Sequence, residues 1–300
     1  MGRLLCLMMA TIVPAAVCAQ TAKPAPARAP HSAGILFWNM SPKSVAMLLQ
    51  SVPQRDGLRL TQLKQTFTDL QCRGRQLREQ SAPGGKNLVC TLPTTAPEPS
   101  SAISASPKGE PDPRTILFLA HYERQGAGRS AVENWSGALM LPFLYHALSA
   151  APRHHTFVFA EVDGESGAAA LFGSLTLAER GDLLGVVSLD ALGLGPVQFY
   201  INPNDTYAYL ARARLMHPLL QAASDQRLHA PREGVPGSWF KVDTGRTFRH
   251  HNVPAMLIHS VNWGTRQVPG SARDTPAAIN RSVYMQTIRL LSDYTAELDR

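Results

Sequence analysis

The sequence predicts an α/β protein with a mostly parallel central sheet that is covered by helices on both faces. Segments 115–121, 156–162 and 185–189 are nearly all apolar, which is typical of strands buried on both faces. Segments with helical spacing of apolar residues alternate with these strands, as in parallel α/β folds. Hydrophobic residues make up 44% of the chain and charged residues 17%, which suits a globular protein with a buried core.

The N-terminal segment has the pattern of a secretory signal peptide. A basic residue precedes an apolar run at 4–17 that is too short to span a membrane, and the small Ala19 fits the position before a cleavage site. We expect a signal peptide at 1–19, cleavage near Ala19, and a periplasmic or secreted protein with no membrane span. Cys18 leaves a lipoprotein alternative open, although Val17 is bulkier than a lipobox prefers at that position.

The composition of the remaining chain suggests a single domain. Residues 20–34 are rich in Pro and Ala and are predicted to form a flexible tether. Residues 35–300 are predicted as one domain with a loop insertion at 94–113, where Pro, Ser and Ala dominate. The net charge is +7, but no stretch interleaves Lys and Arg with aromatic residues, so no nucleic-acid partner is expected.

Two helices and a short strand are predicted before the loop insertion. Ser41 and Pro42 are typical of the cap and first turn of a helix, here over 41–52. Apolar residues at helical spacing predict a second helix over 60–73, and 87–92 is predicted as a short apolar strand.

Cys72 and Cys90 are the two cysteines outside the predicted signal peptide. In an oxidising compartment two such cysteines form a disulfide more often than a reactive thiol. They lack the C-x-x-C spacing of a metal site. We therefore expect a disulfide that joins the end of the helix at 60–73 to the strand at 87–92.

Strands and helices alternate after the loop insertion. Strands are predicted at 115–121, 156–162, 185–189 and 253–258, and helices at 137–150, 168–180, 205–225 and 280–298. Ligand sites of parallel sheets gather at the carboxyl ends of the strands. The residues that follow each strand are therefore the first candidates for function.

Side chains that can bind metals or transfer protons follow three of these strands. His121 and Glu123 come at the end of the first, and Glu133 lies ten residues after Glu123. Glu165 follows the second strand, and Asp190 ends the third. His and carboxylates are the ligands of hydrolytic zinc sites. Each residue alone is more often a cap or loop residue, but their order and spacing together predict a metal site.

The segment 115–190 resembles the co-catalytic zinc aminopeptidases of metallopeptidase family 28, which share their fold with glutaminyl cyclases and nicastrin. The family carries H-x-D after a strand, D-N-x-S-G at a helix start, E-E-x-G followed by G-S, and a strand ending in L-D. The matching segments here are His121-Tyr-Glu123, Glu133-Asn-Trp-Ser-Gly137, Glu165-Ser-Gly followed by Gly173-Ser174, and Leu189-Asp190. More weakly, Val242, Asp243 and Phe248 are similar to a further S-x-D-x-x-x-F segment. The resemblance implies a divergent, exported bacterial member.

When the functional residues of the family are assigned to this sequence by position, the resemblance implies that His121, Glu133 and Asp190 are ligands of one zinc ion. Glu123 is implied as the acid that orients the histidine. Glu123 and Glu133 stand where the family has Asp, and the extra methylene moves each carboxylate by about 1–1.5 Å. Metal distances tolerate only about 0.2 Å. Glu165 is the candidate catalytic base.

Two parts of the family pattern are missing. Only Glu165 remains of two adjacent glutamates, so it is either a base without the neighbouring ligand or a ligand without its base. The last ligand of the family is a His shortly before an Asp, but 268–274 contains no histidine. His259 ends an apolar strand and is expected to be a core histidine. We expect at most one zinc ion, held weakly.

Three functions remain open. The chain is either a non-catalytic relative that binds a peptide or protein, an exported aminopeptidase using one metal at His121, Glu133 and Asp190, or an acyl-transfer enzyme similar to glutaminyl cyclases. A serine mechanism is not indicated, because Ser174 lacks the G-x-S-x-G context. The incomplete set of ligands favours the first function.

Overall fold

The computed structural model describes residues 41–95, 114–234 and 245–300. The predicted signal peptide with Cys18, the predicted tether and nearly all of the predicted loop insertion lie outside the described residues. Val242 and Asp243 also lie outside them. No helix within the described ranges is long and apolar enough to cross a membrane.

The elements follow one another along the chain as an alternation of helices and strands. The helices are α1 (Pro42–Gln50), α2 (Asp56–Asp69), α3 (Ser136–Ser149), α4 (Gly164–Ser174), α5 (Leu177–Gly181), α6 (Ala208–Ala211), α7 (His217–Asp225), α8 (Gly245–His250) and α9 (Arg281–Leu298). The strands are β1 (Leu77–Ala82), β2 (Gly85–Leu92), β3 (Thr115–His121), β4 (Thr156–Val162), β5 (Leu183–Leu189), β6 (Gln198–Tyr200), β7 (Arg232–Glu233) and β8 (Ala255–His259). Short 3-10 turns (Gly74–Gln76, Pro276–Ala278) and π-helical turns (Ala131–Trp135, Arg212–Met216) join some of them.

The strands form one mixed sheet in the order β1-β2-β4-β3-β5-β8-β6-β7. Its centre consists of β4, β3, β5 and β8, which all run parallel. The antiparallel strands β2 and β6 flank this centre. The predicted α/β class with a mostly parallel central sheet is confirmed. The carboxyl ends of β3, β4, β5 and β8 consequently share one edge of the sheet.

Helices cover both faces of the sheet, as predicted. On one face, α1, α2, α3, α7 and α9 enclose the larger core, in which the ring of Phe118 stacks on Phe159 at 5.6 Å. On the other face, α4 and α8 enclose a smaller core, in which Phe172 packs edge-on against Phe248 at 5.4 Å. The central strands are therefore buried on both sides, which explains their largely apolar sequences.

The N-terminal helices start and end at identifiable side-chain interactions. The Ser41 hydroxyl accepts a hydrogen bond from the Ser44 amide at 3.0 Å, so it caps α1 as predicted. In the structure a disulfide joins Cys72, just beyond α2, to Cys90 in β2, with 6.4 Å between their Cα atoms. Both cysteines are fully buried. The disulfide fixes α2 to an outer strand of the sheet.

Some predicted element boundaries are wrong. The predicted helix at 168–180 is interrupted, because the Thr176 side chain and the Glu179 amide and carboxylate form a capping box that starts α5. The predicted helix at 205–225 is divided by the π-helical turn at Arg212–Met216. Strands β1, β6 and β7 were not predicted, because they are short or largely polar.

Glu161 is an ionisable residue inside the larger core. It lies on β4, in register with Leu88 of β2 and Ala120 of β3. The side chain is fully buried, and neither carboxyl oxygen has a hydrogen-bond partner among the described residues. Burial raises the pKa of Glu161 well above its ordinary value and so favours the neutral form. The negative charge of an ionised Glu161 would also raise the pKa of the buried Tyr284.

Replacing Glu161 by Leu should increase the free energy of unfolding by about 1–3 kcal/mol at low pH, because it removes a buried polar group without a partner. The pKa is raised in the folded state, so the unfolded chain releases this proton first as the pH rises above about 4.5. Above that pH the native protein loses about 1.4 kcal/mol per pH unit until Glu161 ionises in the folded state.

Urea denaturation at pH 4 and pH 7 measures this difference. The increase in the free energy of unfolding caused by Glu161→Leu should be larger at pH 7 than at pH 4. Glu161→Gln is the matched control, since it keeps the shape without titrating, and its stability relative to Glu161→Leu should not vary with pH. An equal gain for Glu161→Leu at both pH values would contradict the inferred neutral carboxyl group.

Candidate functional site

The candidate site lies where the central strands end. His121 is the last residue of β3, and Asp190 directly follows β5, which pairs with β3. The Asp190 amide donates to the Ile258 carbonyl of β8 at 3.1 Å, and the Ala191 amide donates to the Glu133 carbonyl at 3.1 Å. The backbone thus brings together residues that were predicted from three separate segments. We call His121, Glu123, Glu133 and Asp190 the strand-end cluster.

His121 is held in a fixed orientation by Glu123. Nδ1 of His121 lies 2.8 Å from Oε1 of Glu123, and the imidazole is only 3% exposed. Nε2 on the opposite side of the ring is buried and has no hydrogen-bond partner. The other oxygen of Glu123 accepts from the Gly164 amide at 3.1 Å. Burial raises the pKa of Glu123, but His121 and the hydrogen bond from Gln125 outweigh it, so the net shift is downward.

Glu133 projects from the π-helical turn before α3, and Asp274 holds that turn in place. The Asp274 carboxylate accepts from the amides of Val132 at 2.6 Å, Glu133 at 3.3 Å and Gly270 at 3.0 Å. Asp274 is fully buried. One side chain therefore positions both Glu133 and the loop that contains Gly270.

The residues after Glu133 explain the sequence pattern E-N-W-S-G. The Asn134 amide group donates to the Glu123 carbonyl at 2.6 Å, and Trp135 Nε1 donates to the Leu48 carbonyl of α1 at 3.2 Å. The Ser136 hydroxyl accepts from the Leu192 amide at 2.8 Å. A β-carbon at Gly137 would lie 2.3 Å from the Leu189 carbonyl oxygen, so a larger residue would push α3 away from β5. Each position of the pattern fixes α3 to a neighbouring segment.

Asp190 is buried among other acids. It is 6% exposed, and its Oδ1 atom has no hydrogen-bond partner in the part of the chain that the structure describes. Burial is the main cause that raises its pKa well above the ordinary value, and the negative charges of Glu133, Glu123 and Asp274 add to the shift. The site therefore concentrates acidic groups, and their mutual repulsion favours the neutral form of Asp190.

Arg59 supplies a buried positive charge near these acids, and the sequence analysis missed it. The guanidinium of this α2 residue is fully buried and donates to the carbonyl oxygens of Tyr122 at 2.9 Å, Glu123 at 3.2 Å and Arg129. Burial lowers its pKa, whereas Asp56, Glu123 and Asp274 raise it. Its position four residues before the buried Leu63, on the apolar side of the helix, was an available signal.

Glu165, the candidate base, differs from the strand-end cluster in its exposure to solvent. It is exposed in the first turn of α4, and its carboxylate makes no hydrogen bond or ion pair with another described residue. The preceding Gly164 is linked to Glu123 through its backbone amide alone. The role of Glu165 as a base therefore stays a prediction.

His259 does not contribute to the cluster. It is 1% exposed, and burial lowers its pKa to about 4. Nδ1 accepts from the Val261 amide at 3.2 Å, and Nε2 lies 3.3 Å from the Gly234 carbonyl. This is the core histidine that the sequence predicted.

The donor atoms of the cluster only partly suit a zinc ion. The atoms His121 Nε2 and Asp190 Oδ1 are buried and have no hydrogen-bond partners among the described residues. Imidazole nitrogen and carboxylate oxygen are ordinary zinc ligands. Within the described ranges, however, no three His, Cys, Asp or Glu side chains are gathered closely enough to hold a metal ion. The arrangement does not fit a complete zinc site, and the predicted set of His121, Glu133 and Asp190 stays a prediction.

Comparison with known proteins identifies the fold but no sequence family. No family model matches the chain, and no curated protein sequence matches it. Among solved structures, the aminopeptidase from Aneurinibacillus sp. strain AM-1 is 17% identical with a TM-score of 0.56, over 72% of this chain and 48% of that one. BSAP, a zinc aminopeptidase from Bacillus subtilis, is 15% identical with a TM-score of 0.57, over 71% of this chain and 50% of that one.

Macrostomum lignano glutaminyl cyclase is similar over a larger part of the molecule. It is 17% identical with a TM-score of 0.65, over 91% of this chain and 95% of that one. The present chain thus spans about half the length of the two aminopeptidases and nearly all of the cyclase. At these identities the similarity concerns the fold alone. The chain has the fold that zinc aminopeptidases and glutaminyl cyclases share.

Proposed function

We propose that this chain is an exported, peptide-binding relative of the zinc aminopeptidases. Its peptidase activity is absent or far below that of aminopeptidases that carry the full set of metal ligands and the catalytic base. The observation that carries the proposal is the exposure of the candidate base. Glu165 is exposed and makes no hydrogen bond or ion pair with another described residue, whereas Glu123, Glu133 and Asp190 are buried.

Amide hydrolysis needs a positioned base and positive charge to stabilise the oxyanion. The stretch 268–274 lacks a histidine and places Gly270 beside Glu133, where a β-carbon would lie 3.1 Å from Oε2 of that glutamate. No imidazole from this stretch is therefore available to stabilise an oxyanion that forms near Glu133. The missing group and the exposed Glu165 together argue against efficient turnover.

The strand-end cluster is suited to binding a cation such as the α-amino group of a peptide. Mutual repulsion with Glu133 and Glu123 helps to raise the pKa of the buried Asp190, and a bound ammonium group would relieve that repulsion. The Asp190 Oδ1 atom has no partner and can accept one of the ammonium hydrogen bonds. Exposed fractions of 6–8% at Glu123, Glu133 and Asp190 leave a small part of each buried residue accessible to solvent.

An exported aminopeptidase with one zinc ion at His121, Glu133 and Asp190 is the alternative. The buried, unpartnered Nε2 of His121 favours it, since Glu123 on Nδ1 orients the ring as carboxylates orient zinc-ligating histidines. At most one zinc ion is expected, because the remaining acids are poor zinc ligands without further nitrogen or sulfur donors.

The first prediction concerns recognition of a free N-terminus. The peptide Leu-Gly-Gly should bind, and N-acetyl-Leu-Gly-Gly should bind at least about ten-fold more weakly, because a charge-assisted hydrogen bond contributes about 1.5–3 kcal/mol. Asp190→Asn should weaken binding of the free peptide to a similar extent. Isothermal titration calorimetry measures both effects.

Asp225→Asn is the matched control, since Asp225 is an exposed residue at the end of α7 that bonds to Gln221. It should leave peptide affinity unchanged. Equal affinities for the free and acetylated peptides, or no binding of either at millimolar concentration, would refute recognition of the amine.

The second prediction concerns catalysis. With zinc added, hydrolysis of Leu-p-nitroanilide should be absent or far below that of complete aminopeptidases, because the proton acceptor is not positioned. Native mass spectrometry should find no more than one zinc ion per chain. The alternative enzyme would instead show turnover that a chelator and Glu165→Gln both abolish, while Glu179→Gln, which alters the α5 capping box, retains it.

A further inference from the structure

A cavity lies away from the strand-end cluster. Its volume is about 580 Å³, and it lies between the outer strands β6 and β7, the segment before β7, and α9. None of His121, Glu133 and Asp190 lines it. Its volume is within the range of small-molecule sites.

The cavity has an apolar part formed by buried and half-buried side chains. Val197, Pro231 and Leu290 are buried, and Leu228 and Val283 are half-buried. Such a surface favours a ligand with an aliphatic or aromatic body, because binding removes apolar area from water.

The polar part of the cavity is cationic. Arg227 and Arg232 line it, are exposed, and have no ion-pair partner among the described residues. Glu233 is the only carboxylate among the lining residues, and Arg212 already binds it through two hydrogen bonds of 3.2 and 3.1 Å. The free charge around the cavity is therefore positive.

The backbone at Arg227 is unfavourable for an arginine. Arg227 follows α7 with a φ of 57°, in the left-handed region. Its amide donates to the Ser224 carbonyl at 2.9 Å, and the Leu228 amide donates to the Ala223 carbonyl at 2.9 Å. This hydrogen-bonding pattern ends many helices and usually has glycine at the left-handed position. A strained residue with a long cationic side chain at a cavity points to a requirement for that side chain.

We propose that this cavity binds a small organic monocarboxylate with an apolar body. The apolar residues bind the body, and the carboxylate pairs with Arg227 and Arg232. The proposal does not depend on the function of the strand-end cluster, since the two sites share no residue.

Calorimetric titration with 4-phenylbutyrate tests this inference, and 4-phenylbutanol serves as the uncharged analogue of the same body. The acid should bind, and the alcohol should bind at least about ten-fold more weakly, as expected for loss of charge-assisted hydrogen bonds. Arg227→Gly and Arg232→Ser should each weaken binding of the acid about ten-fold. The double variant Arg75→Ser, Arg78→Ser at the opposite end of the sheet should not change it.

Arg227→Gly has a second readout, because glycine relieves the strain at the left-handed position. Its melting temperature should rise while its affinity for phenylbutyrate falls, which separates loss of binding from loss of folding. The inference is overturned if the alcohol binds as well as the acid, if phenylbutyrate does not bind at millimolar concentration, or if both arginine variants bind it normally.

Discussion

The Asp274 carboxylate holds together the two loops on which the candidate site depends. It accepts hydrogen bonds from the amides of Val132, Glu133 and Gly270, and the Asp274 carbonyl accepts from the Arg129 amide at 2.8 Å. Without these bonds the π-helical turn before α3 would leave buried amides unsatisfied, which is costly in a protein interior. The position of Glu133 is thus determined by a residue more than 140 positions away in the chain.

This arrangement has an electrostatic consequence. Asp274 adds a buried acid close to three others, and its charge contributes to the raised pKa of Asp190. Arg59 from α2 offsets part of the charge, but its guanidinium hydrogen bonds go to carbonyl oxygens rather than to the carboxylates. The strand-end cluster therefore keeps a surplus of acidic groups. Recognition of a cation follows more directly from this surplus than does hydrolysis, which also requires a positioned base and a group that stabilises an oxyanion.

Local sequence patterns predicted the strands that are buried on both faces along their whole length. The strands at 115–121 and 156–162 were predicted at their observed bounds, because strands buried on both faces are apolar at nearly every position. Strand β7 has two residues, both exposed, and offers no comparable pattern. The strand-end residues were found because the parallel sheet brings its carboxyl ends to one edge. The role of Asp274 and the burial of Arg59 depend on long-range contacts, which periodicity does not report.

Two glutamates of the strand-end cluster each lie beside a glycine of another segment. Glu123 spans from Nδ1 of His121 to the Gly164 amide, so it bridges β3 and the start of α4. Gly270 leaves space beside Glu133, since even a β-carbon there would come within 3.1 Å of Oε2. Each of these contacts joins a carboxylate of the strand-end cluster to another segment of the chain. The burial of the cluster therefore depends on how those segments pack around the carboxyl ends of the strands, and not on the strands alone.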